Sequence, residues 1–176
     1  MMEPRIALRQ RLQARNNVFV TEFRPEDAVD GRLRKGAVPV WRRHVGCNLL
    51  LAEGNALILG LISDVDTGVT LTKLNAGNAY VGVGNGTTAP ARAQTGLVGA
   101  STLYKAMDTG YPIWDDVTES LVYRSLFIDG EAEWVWSEAV LSNASDGVPL
   151  GRLLFSTAIE KTPGRIWAVD YTVSFV

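Results

Sequence analysis

Near its C-terminal end the chain alternates strictly between apolar and polar positions. Trp167, Val169, Tyr171, Val173 and Phe175 fall on one side, with Ala168, Asp170, Thr172 and Ser174 opposite. This period of two predicts a half-buried antiparallel strand whose five large side chains form one buried face. Similar runs precede it. Gly151 to Ile159 and Glu133 to Leu141 read as strands, the latter with Trp134 and Trp136 on one face and Val135 and Ala139 on the other. Leu121 to Ile128 alternates less cleanly because Arg124 and Ser125 interrupt it, and Ala79 to Val83 is a short β run. Gly84-Asn85-Gly86, Asp129-Gly130 and Asp146-Gly147 mark turns between them. Residues 47–62 change period: Leu50, Gly54, Leu57 and Leu61 share one helical face, with Leu51, Ile58 and Ile62 beside it. Gly54 and Gly60 weaken helix propensity, so this helix depends on packing against a sheet.

The first third of the chain reads differently. Residues 1–15 fit a short basic helix, with Arg5, Arg9 and Arg11 among Ile6, Ala7, Leu8 and Leu12. Residues 16–43 carry Pro25, Gly31 and Pro39 among many charges with little periodicity, which predicts an extended arm with room for a strand at Val18 to Phe23. The expected architecture is all-β: an antiparallel β-sandwich over residues 44–176 with one packed helix, preceded by an extended basic N-terminal arm over residues 1–43.

Charge sharpens this division. The 176 residues are 47% apolar and 20% charged, with a formal net charge of −2. Residues 1–43 hold ten Lys/Arg and five Asp/Glu, a balance of +5, against −7 for the remainder. A basic arm on an acidic body suits electrostatic docking of one copy onto a neighbour. Arg5, Arg9, Arg11, Arg15, Arg32, Arg34 and Lys35 are the candidate subunit-interface residues. The overall charge argues against a dedicated nucleic-acid binder. No secretory-type apolar segment is visible at the N-terminus, and the apolar stretch Leu49 to Ile62 is too short for a membrane span.

Candidate chemistry is sparse. One Cys and one His exclude an internal disulfide framework and a multi-thiolate zinc site, and a serine triad could only use His44. His44 and Cys47, three apart beside Arg42 and Arg43, match no specific catalytic arrangement. Gly82-Val83-Gly84-Asn85-Gly86-Thr87-Thr88 lacks both the dinucleotide spacing and a Gly-Lys-Ser/Thr, so it reads as a strand-to-loop transition rather than a phosphate cradle. Asp115-Asp116 and Asp129, Glu131 and Glu133 are too irregular for a calcium loop and read as solvated turns. The sequons at Asn85 and Asn143 read as turn chemistry. Trp134, Trp136, Trp167 and Tyr171 have the shape to stack sugars, but at alternate strand positions they fit a core or interface. No catalytic residue, cofactor or metal is expected, and the chain is not read as an enzyme.

A set of short motifs in a fixed order adds a positive expectation. Asn48-Leu49-Leu50 through Leu61, Ala79-Tyr80-Val81-Gly82-Val83-Gly84-Asn85-Gly86-Thr87-Thr88-Ala89-Pro90, and Gln94-Thr95-Gly96-Leu97 resemble a pattern common in tailed-bacteriophage virion proteins. There a helix rich in Asn, Leu and Gly precedes a "Y-I-A-V-G-x-G-T-T-A-P" strand and an "S-Q-T-x-L" stretch. Tyr104-Lys105-Ala106-Met107-Asp108-Thr109-Gly110-Tyr111-Pro112 continues the similarity. Gly130 to Glu138 resembles the "A-N-F-A-W-x-E" strand, with Trp134 where members often carry Phe or Asn-Phe. Leu150-Gly151-Arg152 is similar to "L-N-R", and Glu160-Lys161-Thr162 to "x-K-T". The resemblance spans residues 44–176. It implies a structural, multi-copy role in the virion, as a capsid-decorating or cement protein or a neck or tail component, assembled in the host cytoplasm. The implied partners are other virion proteins and further copies of the chain, with neither nucleic acid nor membrane. The alternative is a host-receptor or carbohydrate-binding module of the virion.

Overall fold

The computed structural model describes residues 14–175. The strands are β1 (Ala14–Phe23), β2 (Ala28–Val29), β3 (Arg32–Leu33), β4 (Trp41–Cys47), β5 (Leu49–Leu50), β6 (Tyr80–Gly84), β7 (Thr102–Ala106), β8 (Ile113–Asp115), β9 (Ser120–Phe127), β10 (Val135–Ser142), β11 (Pro149–Glu160) and β12 (Ile166–Phe175). One α-helix, α1 (Ala52–Ser63), lies between β5 and β6. Two five-stranded antiparallel sheets face each other, ordered β4-β1-β12-β9-β8 and β5-β11-β10-β6-β7, so the protein is a β-sandwich with one helix.

The main core lies between the sheets. Val18 and Val20 of β1, Tyr123 and Phe127 of β9 and Val169 and Tyr171 of β12 meet Val81 and Val83 of β6, Ala139 and Leu141 of β10 and Leu153 and Phe155 of β11. A line of edge-to-face aromatics crosses it, Trp41 on Trp167, Trp167 on Trp136 and Trp136 on Phe127, with ring centroids 4.8–5.3 Å apart. Such pairs add roughly 0.5–1.5 kcal/mol each to the burial of the rings.

The division at residue 43 does not appear in the sheet. β1, from within the expected arm, is hydrogen-bonded to β12 on one side, from Ala14↔Phe175 to Phe23↔Ile166, and to β4 on the other. The strand expected at Val18 to Phe23 is the second half of β1, with Val18 and Val20 inward; its pairing with β12 and β4 is what the extended-arm reading lacks. Residues 24–40 then turn back over the outer face of the same sheet. There Ala28, Leu33 and Ala37 pack on a second apolar cluster of Phe23, Leu126, Ile166 and Ala168.

This cover corrects the reading of β12. Trp167, Val169, Tyr171 and Val173 are buried in the main core as expected, but Phe175 is 45% exposed, and Ala168 and Asp170 on the opposite face are buried. The strand is enclosed on both sides along most of its length. β10 departs from strict alternation too. Its register with β11 shifts between Trp136 and Glu138, a bulge that brings Trp136, Ala139 and Leu141 to the core face together, whereas Trp136 and Ala139 were expected on opposite faces.

The helix begins five residues later than its pattern predicts. Cys47 ends β4, and Leu49 and Leu50 pair with Arg152 and Gly151 of β11. Of the expected stripe, Gly54 and Leu57 are buried, Leu50 is half-buried, and Leu61 faces outward; Gly60 is the third buried helical position. Gly54 is needed for its missing Cβ, which would overlap the Leu150 carbonyl. None of the described helices is long and apolar enough to cross a membrane.

Because β1 supplies Val18, Val20 and Phe23 to both apolar clusters, a chain lacking residues 1–43 is expected to lose cooperative thermal unfolding. A truncated chain that still unfolds cooperatively would show β1 to be dispensable.

Candidate functional site

The most heavily constructed polar site lies on the outer face of the second sheet. The β10 bulge turns Glu138 away from the core, beside Gly84 of β6, its register partner. Arg152 of β11 stands opposite Val140 on the neighbouring strand. Both side chains have 0% exposure, and Arg152 Nε donates to Glu138 Oε2 at 2.6 Å. Residues 85–101 form a loop that closes over the pair.

Most of the hydrogen bonds that tie that loop to the sheet run to the two buried charges. Glu138 Oε1 accepts the backbone N–H groups of Gly86 at 3.0 Å, Gly99 at 2.7 Å and Val98 at 3.2 Å. Arg152 donates to the Gln94 side-chain oxygen at 3.0 Å and the Thr88 carbonyl at 2.9 Å. Convergent backbone N–H groups form an anion-binding concavity. Gly86 of the glycine-rich segment and Val98 and Gly99 farther along the loop together form such a concavity, and the chain's own carboxylate fills it. Glycine is required there by close approach: a Cβ at Gly86 or Gly84 would collide with the Glu138 carboxylate, and one at Gly99 with the Asn85 amide. Asn85 closes the neck of the loop, accepting from Ser101 N–H at 3.0 Å while its own N–H donates to the Ser101 carbonyl.

Tyr104 of β7 supports the loop from below. Its ring lies against Gly82, and its hydroxyl accepts the Leu97 N–H at 3.4 Å. Burial pushes the hydroxyl up to about 12, against the pull of that N–H and with help from the Asp146 and Glu138 charges. Burial also raises Tyr123 to about 12.

A second buried carboxylate lies on the outer face of the first sheet. Asp170 of β12 pairs with Arg124 of β9 at 2.5 Å and with Arg42 of β4 at 3.6 Å. Arg124 also stacks 4.7 Å from the Tyr111 ring centroid. Both ion pairs escaped sequence reasoning, though a signal existed: Glu138 in Trp-Ser-Glu-Ala-Val and Arg152 in Leu-Gly-Arg-Leu-Leu are charges inside apolar strands.

The residues singled out earlier are dispersed. Arg5, Arg9 and Arg11 lie outside the described residues, and Arg15 falls in β1. Arg32, Arg34 and Lys35 are exposed on the segment that packs over the chain's own first sheet, a different setting from a free arm. His44 and Cys47 both contact the Asn17 side-chain oxygen, at 3.2 and 3.5 Å, on the exposed part of β4. The carboxylates hold turns. Asp115 accepts from Thr118 Oγ1 and the Val117 N–H, which lower its pKa. Asp129 accepts from Gly164 N–H, which lowers its pKa. Glu131 pairs with Lys105 at 2.6 Å and Glu133 accepts from Gly130 N–H. Lys161 is buried beneath them and donates to the Ile128 carbonyl at 2.9 Å. Asn143 spends its amide on the Thr70 and Thr72 carbonyls and the Val148 N–H. Among the described residues no three His, Cys, Asp or Glu side chains are grouped to hold a metal ion.

The chain matches no family model, no curated protein and no solved structure.

Two outcomes follow from the geometry. Glu138→Ala leaves a buried guanidinium unpaired and is expected to cost about 3–5 kcal/mol in urea unfolding. The double variant with Arg152→Met is expected to lose less than the two single variants together, and simple additivity would show the pair uncoupled. For Tyr104 and Tyr123 the folded pKa values lie above the ordinary 10 of an unfolded tyrosine. Their stabilising contribution is complete below pH 10 and is lost as pH rises through about 12. The urea midpoint should fall across that window, and Tyr104→Phe should flatten the fall.

Proposed function

We propose that this protein is a structural component of a tailed-bacteriophage virion, present in several copies and contacting other virion proteins and copies of itself. One observation carries the reading. The stretches that resemble the virion pattern are scattered over the chain, yet they converge on one node. Gly86 and Thr88 of the "G-x-G-T-T-A-P" stretch, Gln94 and Leu97 of the next, Glu138 at the end of the "W-x-E" strand and Arg152 of the "L-N-R" stretch are joined by the hydrogen bonds around Glu138, Arg152 and Tyr104. Motifs that recur together in order are accounted for when they build one rigid piece of frame.

The node suits a frame better than a reaction centre. Glu138 spends both carboxylate oxygens on N–H donors, and each nitrogen of the buried Arg152 guanidinium donates to a carboxylate, an amide or a carbonyl of the chain itself, so the pair is turned inward. The receptor- or glycan-binding alternative needs open aromatic platforms. Trp136, Trp167 and Tyr171, three of its four candidates, are buried in the core.

The test is quantitative mass spectrometry of purified particles from a phage encoding the chain. Stoichiometric incorporation at a fixed copy number, retained after stringent washing, is the expected result. Absence from the particle, or binding of the free protein to host cells or glycans without incorporation, would overturn the proposal.

A further inference from the structure

The two edges of the first sheet differ in charge and in shape. At one edge the β8–β9 hairpin forms an acidic, apolar knob. Trp114 is 62% exposed and Val117 88%. Asp116 and Glu119 are exposed in the same turn, and no Lys or Arg occurs between Lys105 and Arg124. The turn is braced from within. Asp115 accepts from the Val117 N–H at 3.0 Å and from Thr118 Oγ1 at 2.8 Å, and that hydroxyl also meets Ser120 Oγ at 2.7 Å. A knob fixed in this way loses little freedom on docking.

The opposite edge is a basic groove. β4 ends the sheet there, with Arg42 and Arg43 exposed. Beside it runs the C-terminal half of β11, whose outer edge is open among the described residues because β5 pairs only with Gly151 and Arg152. A cavity of about 320 Å³ lies between the two strands, lined by Arg43, His44, Val45, Ser156, Thr157 and Ile159, with no Asp or Glu among these residues. A second cavity of about 270 Å³ shares Arg43 and Ile159 and runs on to Trp41 and Trp167. Of the two acids along that second cavity, Glu22 is engaged by Trp167 Nε1 at 3.0 Å and by Arg165 at 3.3 Å, and Glu160 stands exposed.

We propose that the β8–β9 hairpin of one copy seats in the β4–β11 groove of the next, with Trp114 and Val117 entering the groove and Asp116 and Glu119 beside Arg43. Charge selects this pairing. Two β4 edges brought together set Arg42 and Arg43 against themselves, two hairpins do the same with Asp116 and Glu119, and like charges in contact are unfavourable. Nor does a hairpin reach its own groove, since the two edges are four strand spacings apart, about 19 Å, with the sheet between them. The occupant is therefore a second copy. Knob and groove are different surfaces, so the contact is head to tail and propagates into a ring or a filament. The inference rests on the multi-copy part of the proposed function and assigns it two surfaces.

The test is analytical ultracentrifugation of the full chain over a concentration series. The unmodified chain is expected to form oligomers larger than a dimer as concentration rises. Trp114→Ser with Asp116→Asn removes the knob, and Arg43→Glu with Thr157→Glu fills the groove and inverts its charge. All of these positions are exposed, and unchanged urea midpoints report that the variants are folded. Each double variant alone is expected to associate about thirtyfold more weakly, the loss that a truncated anchor causes at a well-packed contact. Mixed in equal amounts, the two should form a heterodimer and nothing larger, because one intact knob then meets one intact groove. An unmodified chain that stays monomeric overturns the proposal, as does a mixture that stays monomeric. A closed dimer that either variant retains overturns it in favour of a like-with-like contact. Particle incorporation is a separate readout. A chain stoichiometric in virions but monomeric in solution overturns this contact alone, and one that assembles in this way but is absent from particles overturns the virion reading alone.

Discussion

A carboxylate and a guanidinium, neither in contact with solvent, hold the second sheet and its largest loop together. Glu138 and Arg152 bring to one point residues from β10 and β11 and both halves of the 85–101 loop. Burying either charge alone would cost several kcal/mol. The arrangement is tolerable because each has polar partners within the chain, the carboxylate three backbone N–H groups and the guanidinium, the guanidinium the carboxylate, Gln94 and the Thr88 carbonyl. The surroundings then follow. Glycines must stand at 84 and 86 to admit the carboxylate, a bulge must turn Glu138 outward, and the loop must be long enough to close the lid.

The first sheet meets the same constraint in a different way. Its outer face is covered by residues 24–40, and the covering is partly apolar, over Phe23, Leu126, Ile166 and Ala168. Beside it a second buried carboxylate, Asp170, is satisfied by Arg124 and the more exposed Arg42. Each sheet therefore has the common core on its inner face and, on its outer face, an ion pair and a local cover. The only strands in the first cover are the two-residue β2 and β3, and the second is a loop, so neither announces itself by periodicity.

Much of this was legible where local pattern and environment coincide. The strands at residues 80–84, 120–127, 149–160 and 166–175 lie within a residue or two of the runs their patterns predict, as does the Asp129-Gly130 turn. Helix α1 was found but begun too early, because Leu49 and Leu50 are as apolar as helical positions and only their pairing with β11 reveals them as strand. The site was legible as motifs but not as a site. Each stretch could be read, including the glycine loop, the Glu138 strand and Leu150-Gly151-Arg152, while nothing in any one of them states that they touch.

The sequence by itself determined the all-β character, the one packed helix and the core face of the last strand from Trp167 to Val173, because a side chain's tendency to leave water is a local property with a readable period. Only the tertiary structure decided that residues 14–43 belong to the body, that β12 is covered on both faces, and that the glycine loop encloses a carboxylate of its own chain. Those outcomes rest on pairings between residues far apart in sequence, such as Gly86 with Glu138 and Val20 with Val169. An unpaired charge or a strand edge has no preferred partner until the chain has folded, so no local pattern records the choice.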